Sequence, residues 1–374
     1  MKVLLLSYGI IDYDGRLIEL NNIAKKLGKV TTVCCGKDKD STETERIIKI
    51  GNHKYLGIYL FFSFLVQSLI TAIKMRNIDI LVIDNYFAAI AAFVIKPFCK
   101  VEFIVQDVRE LYFIEDMKSW RGRLLCKSEV KLMKRADVVL CANSQRAELM
   151  YNHYNLSKKP IVFENVRVLN GIYDKRVMAN RYSSMFNYEI NIISTGGVSV
   201  ARGTDKLISS MKNLSDDYGL YIVGGGNKED ISKVDKLIKE QNIKNVHFIG
   251  KVPLPELKYI VKQCDIGIVN YHKNDLNNMF CASGKVYEYL AEGLPIVTTE
   301  NIPLKEFCDK TFTGVADDKF YKGILKVSNS IEDFRDVVRD YISEISVNDY
   351  NESIAENVRK IFIENRSPSI KALE

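Results

Sequence analysis

Residues Asp265 to Val297 read DIGIVNYHKNDLNNMFCASGKVYEYLAEGLPIV, and this stretch predicts more about the fold than any other. An apolar strand from Ile266 to Tyr271 leads through a polar loop into a small-residue turn, and an amphipathic helix then runs to Glu292-Gly293 before a second apolar strand. In a parallel α/β sheet such a turn lies at the carboxyl end of a strand, where unpaired helix N–H groups and the helix dipole favour an anion such as a phosphate. A carboxylate one turn further along could reach the hydroxyls of an attached sugar. The pattern therefore predicts a site for a nucleotide diphosphate.

Glu288 is the strongest single candidate in this stretch. With Ser283 as the N-cap it falls at the fifth helical position, too far along for a capping box, which needs a carboxylate at the third. A solvated or dipole-stabilising glutamate is the alternative. The turn residues Ser283, Gly284 and Lys285 are the matching candidates for the phosphates.

The same residues carry a family resemblance. The segment SGKVYEYLAEGLP, from Ser283 to Pro295, is similar to the pattern Ser, Lys, Glu-Tyr/Ala-Leu/Met-Ala, Gly and Pro of the retaining GT-B-type glycosyltransferases, and within them of glycosyltransferase family 4 and its relatives. The similarity covers most of the chain and is strongest from about Ile190 to Val297. In that family the glutamate matching Glu288 binds the ribose of the donor nucleotide. The family's earlier glutamate, eight positions before it, is Phe280 here, so the donor-sugar end of the motif is changed.

Glycine turns follow other strand patterns of the second half. Arg202-Gly203 resembles the family's basic residue before a glycine, and a cation there would neutralise a diphosphate leaving group. Val198 stands where the family often has a second basic residue. The predicted donor-binding residues are Gly197, Arg202, Gly203, Gly224, Gly226, Gly250, Ser283, Gly284, Lys285 and Glu288.

Polar residues also follow strand patterns in the first half of the chain. Gly15 and Arg16 resemble the family's glycine loop beside donor and acceptor, and Asp107 and Arg109 close a later strand. We expect these four on the acceptor side, although Asp107 is equally well interpreted as an N-cap or turn aspartate. The predicted catalytic residues are Arg202, Glu288 and Asp107.

Apolar runs of strand length alternate with helical patterns along the chain, which predicts an α/β protein with two doubly wound, parallel-sheet, Rossmann-like domains. The predicted strands are 3–8, 30–35, 78–84, 102–106, 138–142, 161–163, 191–195, 220–223, 246–249, 266–270 and 296–299. The polar stretch 166–187 divides them, so we predict an acceptor-binding domain, 1–170, and a nucleotide-sugar-binding domain, 171–350. The resemblance implies a GT-B fold, with the ligand in a cleft between the domains and the helix at about 351–366 packed back on the first.

Two segments bear on a membrane surface. The uncharged run from Tyr55 to Ile73 is nearly long enough to cross a bilayer, but its recurring polar residues and the strand after it favour a mostly buried or membrane-dipping helix. Between Lys118 and Arg135 seven cations accompany one acid, Glu129, and the only tryptophan, Trp120. This pattern suits an anionic membrane surface, and a solvated helix with one apolar side is the alternative. The seven cations are Lys118, Arg121, Arg123, Lys127, Lys131, Lys134 and Arg135.

Composition excludes several classes of function. The chain has 374 residues and a net charge of +6, and its eight cysteines, which lack C-x-x-C spacing, predict a reduced, cytoplasmic protein. Its four scattered histidines form no zinc pattern, and no nucleic-acid-reading module or Walker loop is present. Residues 1–7 predict a first strand rather than a signal peptide.

The sequence therefore predicts a hexosyltransferase-type glycosyltransferase. It would move a sugar from a nucleotide diphosphate sugar to a carbohydrate or lipid-linked acceptor in cell-surface polysaccharide assembly. The resemblance implies retention of configuration and no metal or other cofactor. Two alternatives stay open: a catalytically weak glycosyltransferase-like scaffold or partner subunit, which Phe280 and Val198 motivate, and a GT-B-type sugar-nucleotide epimerase. The expected location is cytoplasmic, with a peripheral position on the inner face of the membrane as an option.

Overall fold

The computed structural model describes residues 1–12, 14–36, 45–51, 53–182 and 184–371, and the side chains of all of these except 45, 53–56 and 367–371. The chain forms two compact units. The first unit is Met1–Asn165 with Val347–Glu374, and the second unit is Val166–Ser346.

In the described part of the first unit, seven parallel strands form one sheet in the order β3-β2-β1-β4-β5-β6-β7. The strands are β1 Lys2–Ile10, β2 Lys29–Cys35, β3 Glu45–Lys49, β4 Asn77–Asp84, β5 Lys100–Val108, β6 Val138–Cys141 and β7 Ile161–Val162. The helices of this unit are α1 Gly15–Leu27, α2 His53–Met75, α3 Asn85–Ile95, α4 Trp120–Met133, α5 Ser144–Tyr154 and α15 Val347–Lys371.

Helices cover both faces of this sheet. Alternate residues of β1 point to opposite faces, and those from Val3 to Ser7 are all buried, as expected for a parallel sheet between two helix layers. Val3 and Leu5 share one core with α1 and α15, whereas Leu4 and Leu6 share the other with α2, α3 and α4. The C-terminal helix α15 thus completes the first unit, into whose core it packs Val358.

In the described part of the second unit, six parallel strands follow the order β10-β9-β8-β11-β12-β13. The strands are β8 Ile190–Gly197, β9 Tyr218–Gly225, β10 Val246–Gly250, β11 Ile266–Val269, β12 Ile296–Thr298 and β13 Gly314–Ala316. The helices are α6 Lys175–Tyr182, α7 Thr204–Ser210, α8 Lys228–Glu240, α9 Leu254–Val261, α10 Leu276–Met279, α11 Gly284–Leu290, α12 Ile302–Thr311, α13 Phe320–Ser328 and α14 Ile331–Ser343. The predicted α/β class with two parallel sheets is confirmed.

The sequence analysis missed two strands and misjudged one helix. The strands β3 and β13 lie at sheet edges and are short, so neither shows a long apolar run. Among the described residues, the part of α2 from Gly57–Met75 has the length and the apolar composition needed to cross a membrane. Only 28% of its most apolar 18-residue stretch is buried. Of the two forms expected for this helix, the mostly buried one is wrong, because α2 lies on the outside of its sheet, and the membrane-dipping one stays a prediction.

Candidate active site

A glycine turn at the carboxyl end of β8 forms the centre of the candidate site. Gly196 has a positive φ of 100°, and a Cβ atom there would lie 3.2 Å from the Nζ atom of Lys285. A Cβ atom on Gly197 would come within 2.9 Å of the Nη1 atom of Arg202. Two cations from different elements therefore lie against a turn that has no side chains of its own. An anion could approach the backbone here and meet both cations.

Arg202 is held by its backbone while its side chain stays exposed. It ends a short 3-10 turn, and Gly203 then adopts a left-handed conformation with φ of 79° before α7 begins. The carbonyl oxygen of Arg202 accepts a hydrogen bond of 2.8 Å from the side chain of Asn270, at the end of β11. The arginine thus stands at the edge where β8 and β11 end.

The predicted glycines of β9 pack against the same turn. A Cβ atom on Gly224 would lie 1.8 Å from the carbonyl oxygen of Gly196, and one on Gly226 would lie 2.1 Å from the carbonyl oxygen of Val198. Only glycine permits this approach of two strand ends, so both residues shape the turn. Gly250 ends β10 at the same edge of the sheet.

The second half of the site is the start of α11. Ser283 is its N-cap but makes no capping hydrogen bond, and its Oγ atom is buried without a hydrogen-bond partner among the described residues. Lys285 and Glu288 follow on the first and second turns. The hydroxyl of Tyr289, which is fully buried, accepts a hydrogen bond of 2.9 Å from the amide of Thr195 in β8. Tyr289 therefore fixes α11 against the glycine turn, a role that the sequence analysis missed.

Arg167 is a further residue that sequence reasoning missed. Its Nε atom lies 2.7 Å from an oxygen of Glu288, and a Cβ atom on Gly284 would come within 2.5 Å of that nitrogen. The Nε–H is not aligned for a hydrogen bond with any described acceptor, so this contact is an ion pair with poor directionality. No local pattern identifies Arg167, because only the fold brings it to α11.

These charges act on one another. Burial lowers the pKa of Lys285 to about 8, with Arg202 adding to the effect, Glu288 opposing it and Arg167 adding a smaller contribution. Three cations therefore gather around a single carboxylate at the start of α11. An anion with two or more negative charges would relieve the repulsion among them.

The predicted residues of the first unit form a separate cluster at the carboxyl ends of its strands. Gly15 begins α1, and Arg16 donates two hydrogen bonds of 2.7 and 2.5 Å to the carboxylate of Asp107. Arg16 also donates to the carbonyl oxygen of Phe163 and to the side chain of Asn165, both at 2.8 Å. Asp107 is fully buried near the end of β5, so its carboxylate holds Arg16 and is neither a helix cap nor a turn residue.

Arg109 ties three elements of this cluster together. Its guanidinium pairs with Asp84, at the end of β4, and with Asp14, the N-cap of α1. Burial raises the pKa of Asp84 to about 6, and Arg109 opposes this shift. In contrast to the second-unit site, this cluster satisfies its own charges.

Comparisons with known proteins bear on the family and on the fold. Residues 186–361 match the family model of Glycosyl transferases group 1. HepE from Anabaena, solved in complex with UDP, has a TM-score of 0.72 and 16% identity over 96% of this chain and 100% of that chain. The glycosyltransferase WaaG, involved in lipopolysaccharide biosynthesis, has a TM-score of 0.68 and 14% identity over 95% of this chain and 99% of that chain. Sucrose-phosphate synthase from Thermosynechococcus elongatus has a TM-score of 0.71 and 12% identity over 100% and 99% of the two chains.

No curated protein sequence is significantly similar to this chain. The likeness to these solved structures shows the GT-B fold, as the sequence predicted. Residues 186–361, which are most of the second unit and the first part of α15, are similar to the glycosyltransferases of group 1.

Proposed function

We propose that this chain transfers a sugar from a UDP-sugar, a nucleotide diphosphate sugar, to a carbohydrate or lipid-linked acceptor. One observation carries the donor part of the proposal: Arg202 and Lys285 converge on the Gly196-Gly197 turn, and Glu288 stands on the next turn of α11. Support for UDP comes from HepE, which was solved with UDP, although that likeness shows only a shared fold.

In this proposal the diphosphate occupies the space between Arg202, Lys285 and the buried hydroxyl of Ser283. Negative charge on the diphosphate grows as the glycosidic bond breaks, so fixed cations stabilise the transition state more than the ground state. These side chains would supply the neutralisation themselves, so we propose that the reaction needs no cofactor besides the donor. Configuration at the anomeric carbon is proposed to be retained.

Glu288 is proposed to bind the ribose hydroxyls, which requires its pairing with Arg167 to open. Arg167 would then turn towards the diphosphate, since it is released next to the same helix start. The role of Glu288 is orientation of the donor rather than proton transfer.

On the acceptor side, we propose that Gly15, Arg16, Asp107 and Arg109 border the acceptor. Asp107 acts by holding Arg16, since its oxygens are already paired in a buried place. Polysaccharide or lipopolysaccharide assembly fits the role of WaaG, and a lipid-linked acceptor would place the cytoplasmic enzyme on the inner face of the membrane.

A melting-shift assay with UDP, GDP, ADP and CMP tests the donor proposal. We expect UDP to raise the melting temperature most, and no stabilisation by any of the four would contradict it. Incubation with UDP-sugars then separates the alternatives: turnover without an acceptor that yields an epimer favours the epimerase, and binding without turnover favours the scaffold that Phe280 motivates. Activity that persists in EDTA supports the proposed independence of metal.

A further inference from the structure

The outward face of α2 is apolar. Six large side chains of this helix are between 40% and 78% exposed: Ile58, Tyr59, Phe62, Val66, Ile70 and Ile73. Spacings of three and four residues place them along one side of the helix. Such a continuous apolar stripe on a surface marks an interaction site, whereas single exposed residues do not.

Contacts on the other side of α2 show that it is fixed to the first unit. Leu60, Phe64 and Ala72 are buried, and the ring of Tyr8 in β1 lies 5.6 Å from that of Phe64. The polar residues Ser68 and Thr71 are also on the buried side. The helix therefore presents its apolar residues to the outside while part of its polar surface faces the protein, the reverse of a helix in water.

The cationic helix α4 belongs to the same layer. Phe64 of α2, Ala88 of α3 and Leu132 of α4 share one core with Leu4 and Leu6 of β1. These three helices thus cover one face of the sheet, and their outward sides face the same way. The apolar stripe and α4 lie on either side of α3, within about 20 Å of each other for ordinary helix spacings.

All the charged side chains on the outward side of α4 are cationic, and Leu124 and Trp120 are exposed among them. All seven cations between Lys118 and Arg135 are exposed, and none pairs with a carboxylate among the residues that the structure describes. Glu129, the one acid in the segment, is buried, and this burial raises its pKa well above the usual range. Trp120 begins the helix and is 70% exposed.

We propose that the outward face of α2 and α4 docks the first unit on an anionic lipid bilayer, with the apolar stripe in the interface and the cations on the headgroups. Exposure of the apolar stripe to water is unfavourable, so we expect something other than water to cover it. A second copy on this face would bring two cationic helices together, whereas an anionic surface neutralises them.

The orientation of these helices connects the docking face to the candidate acceptor side. Each helix joins two parallel strands, so it runs antiparallel to them and begins at the edge of the sheet where the strands have their carboxyl ends. Tyr59 and Trp120, near the starts of α2 and α4, therefore lie towards the edge that holds Arg16 and Arg109. The docking surface is independent of the reaction, and only its purpose, access to a lipid-linked acceptor, rests on the proposed function.

Co-sedimentation of the purified chain with vesicles tests the stripe. At low salt we expect binding to vesicles of equal parts phosphatidylcholine and phosphatidylglycerol, and little to phosphatidylcholine alone. The variant Phe62→Ser, Val66→Ser, Ile70→Ser should bind about a hundredfold more weakly, because three apolar side chains are removed from the interface. The matched control changes Phe312, Val177 and Ile172 of the second unit to serine and should bind normally; these are the same three residue types and are at least as exposed.

A second variant tests the cations. Changing Arg121, Lys127, Lys131 and Lys134 to glutamine should weaken binding about fivefold per charge at low salt, with smaller losses as salt rises. Glutamines at the exposed Lys212, Lys239, Lys244 and Lys322 of the second unit serve as the control. Since Trp120 is the only tryptophan, its fluorescence reports docking directly: a blue shift and quenching by brominated lipid are expected.

Several results would overturn the proposal: a wild-type chain that ignores the anionic vesicles, a serine variant that binds like wild type, or equal binding to both vesicle types. A solution dimer that the serine variant abolishes would show instead that a second copy covers the stripe. Resistance to alkaline carbonate extraction would show that α2 spans the bilayer. The UDP melting shift is measured on the same samples, so loss of docking and failure of the proposed function are read separately.

Discussion

The two units carry polar clusters at the carboxyl edges of their sheets, and the clusters differ in how their charges are paired. In the second unit, Arg167, Arg202 and Lys285 surround the single carboxylate of Glu288. In the first unit, Arg16 and Arg109 are matched by the carboxylates of Asp14, Asp84 and Asp107. The first-unit cluster pairs its own arginines with carboxylates, whereas the second-unit cluster has an excess of positive charge, which an anionic ligand would neutralise. Substitutions in the first should therefore reduce stability, and substitutions in the second should reduce binding or turnover.

The largest effect is expected from Asp107→Asn. It leaves the buried guanidinium of Arg16 without its counter-ion, which typically costs about 3–5 kcal/mol. In chemical unfolding, the first unit should unfold at a lower denaturant concentration than in the wild type, while the second unit keeps its UDP-induced stabilisation. Glu306→Gln, at an exposed pair with Lys310, is the control and should change little. An unchanged transition in Asp107→Asn would show that the ion pair contributes no stability.

Arg202→Ala should have the next largest effect, on turnover. Charge on the leaving diphosphate grows towards the transition state, so we expect kcat to fall about a hundredfold and the apparent donor affinity to fall less. Steady-state kinetics with UDP-sugar measure both. Arg339→Ala removes an exposed arginine of the same unit and should behave like wild type. Weakened UDP binding with unchanged kcat would assign Arg202 to ground-state binding only.

Glu288→Gln tests the ribose contact. Loss of charge-assisted hydrogen bonds worth roughly 1.5–3 kcal/mol should weaken UDP binding about ten- to a hundredfold while the fold is kept. Calorimetric titration with UDP gives the affinity, and Glu300→Gln, at an exposed pair with Lys305, is the matched control. Wild-type affinity and turnover in Glu288→Gln would remove this residue from the donor site.

The smallest effect concerns the protonation of Lys285, whose pKa burial lowers to about 8. A diphosphate binds the ammonium form, so UDP affinity should be complete below this pKa and decrease as pH rises through it, by up to about tenfold per pH unit. Lys285 has the opposite effect on the stability of the ligand-free protein. Between pH 8 and the ordinary pKa of lysine, the unfolded state binds more protons at this residue than the folded state does. The free energy of unfolding should therefore rise with pH in that range. In Lys285→Arg the UDP affinity should no longer decrease as pH rises above 8, because arginine stays protonated. The same decrease in this variant as in the wild type would contradict the assignment.

How much of the site the sequence predicted differs between its parts. The helix with Ser283, Lys285 and Glu288, and the turn before Gly203, were predictable because their residue types and spacings are local. Arg167 and the contact from Tyr289 to Thr195 were not, because their partners are more than ninety positions away in the chain and no pattern encodes that distance.

The sequence by itself determined the two parallel sheets, since near-continuous apolar strands alternating with helices can bury their surface in few other ways. It also determined that Ser283, Lys285 and Glu288 stand together at the start of one helix. Only the tertiary structure decided that Asp107 forms an ion pair with Arg16, that Arg167 reaches Glu288, and that the apolar stripe of α2 faces outward. These outcomes depend on which distant surfaces pack together, and packing is a property of the whole fold rather than of any local segment.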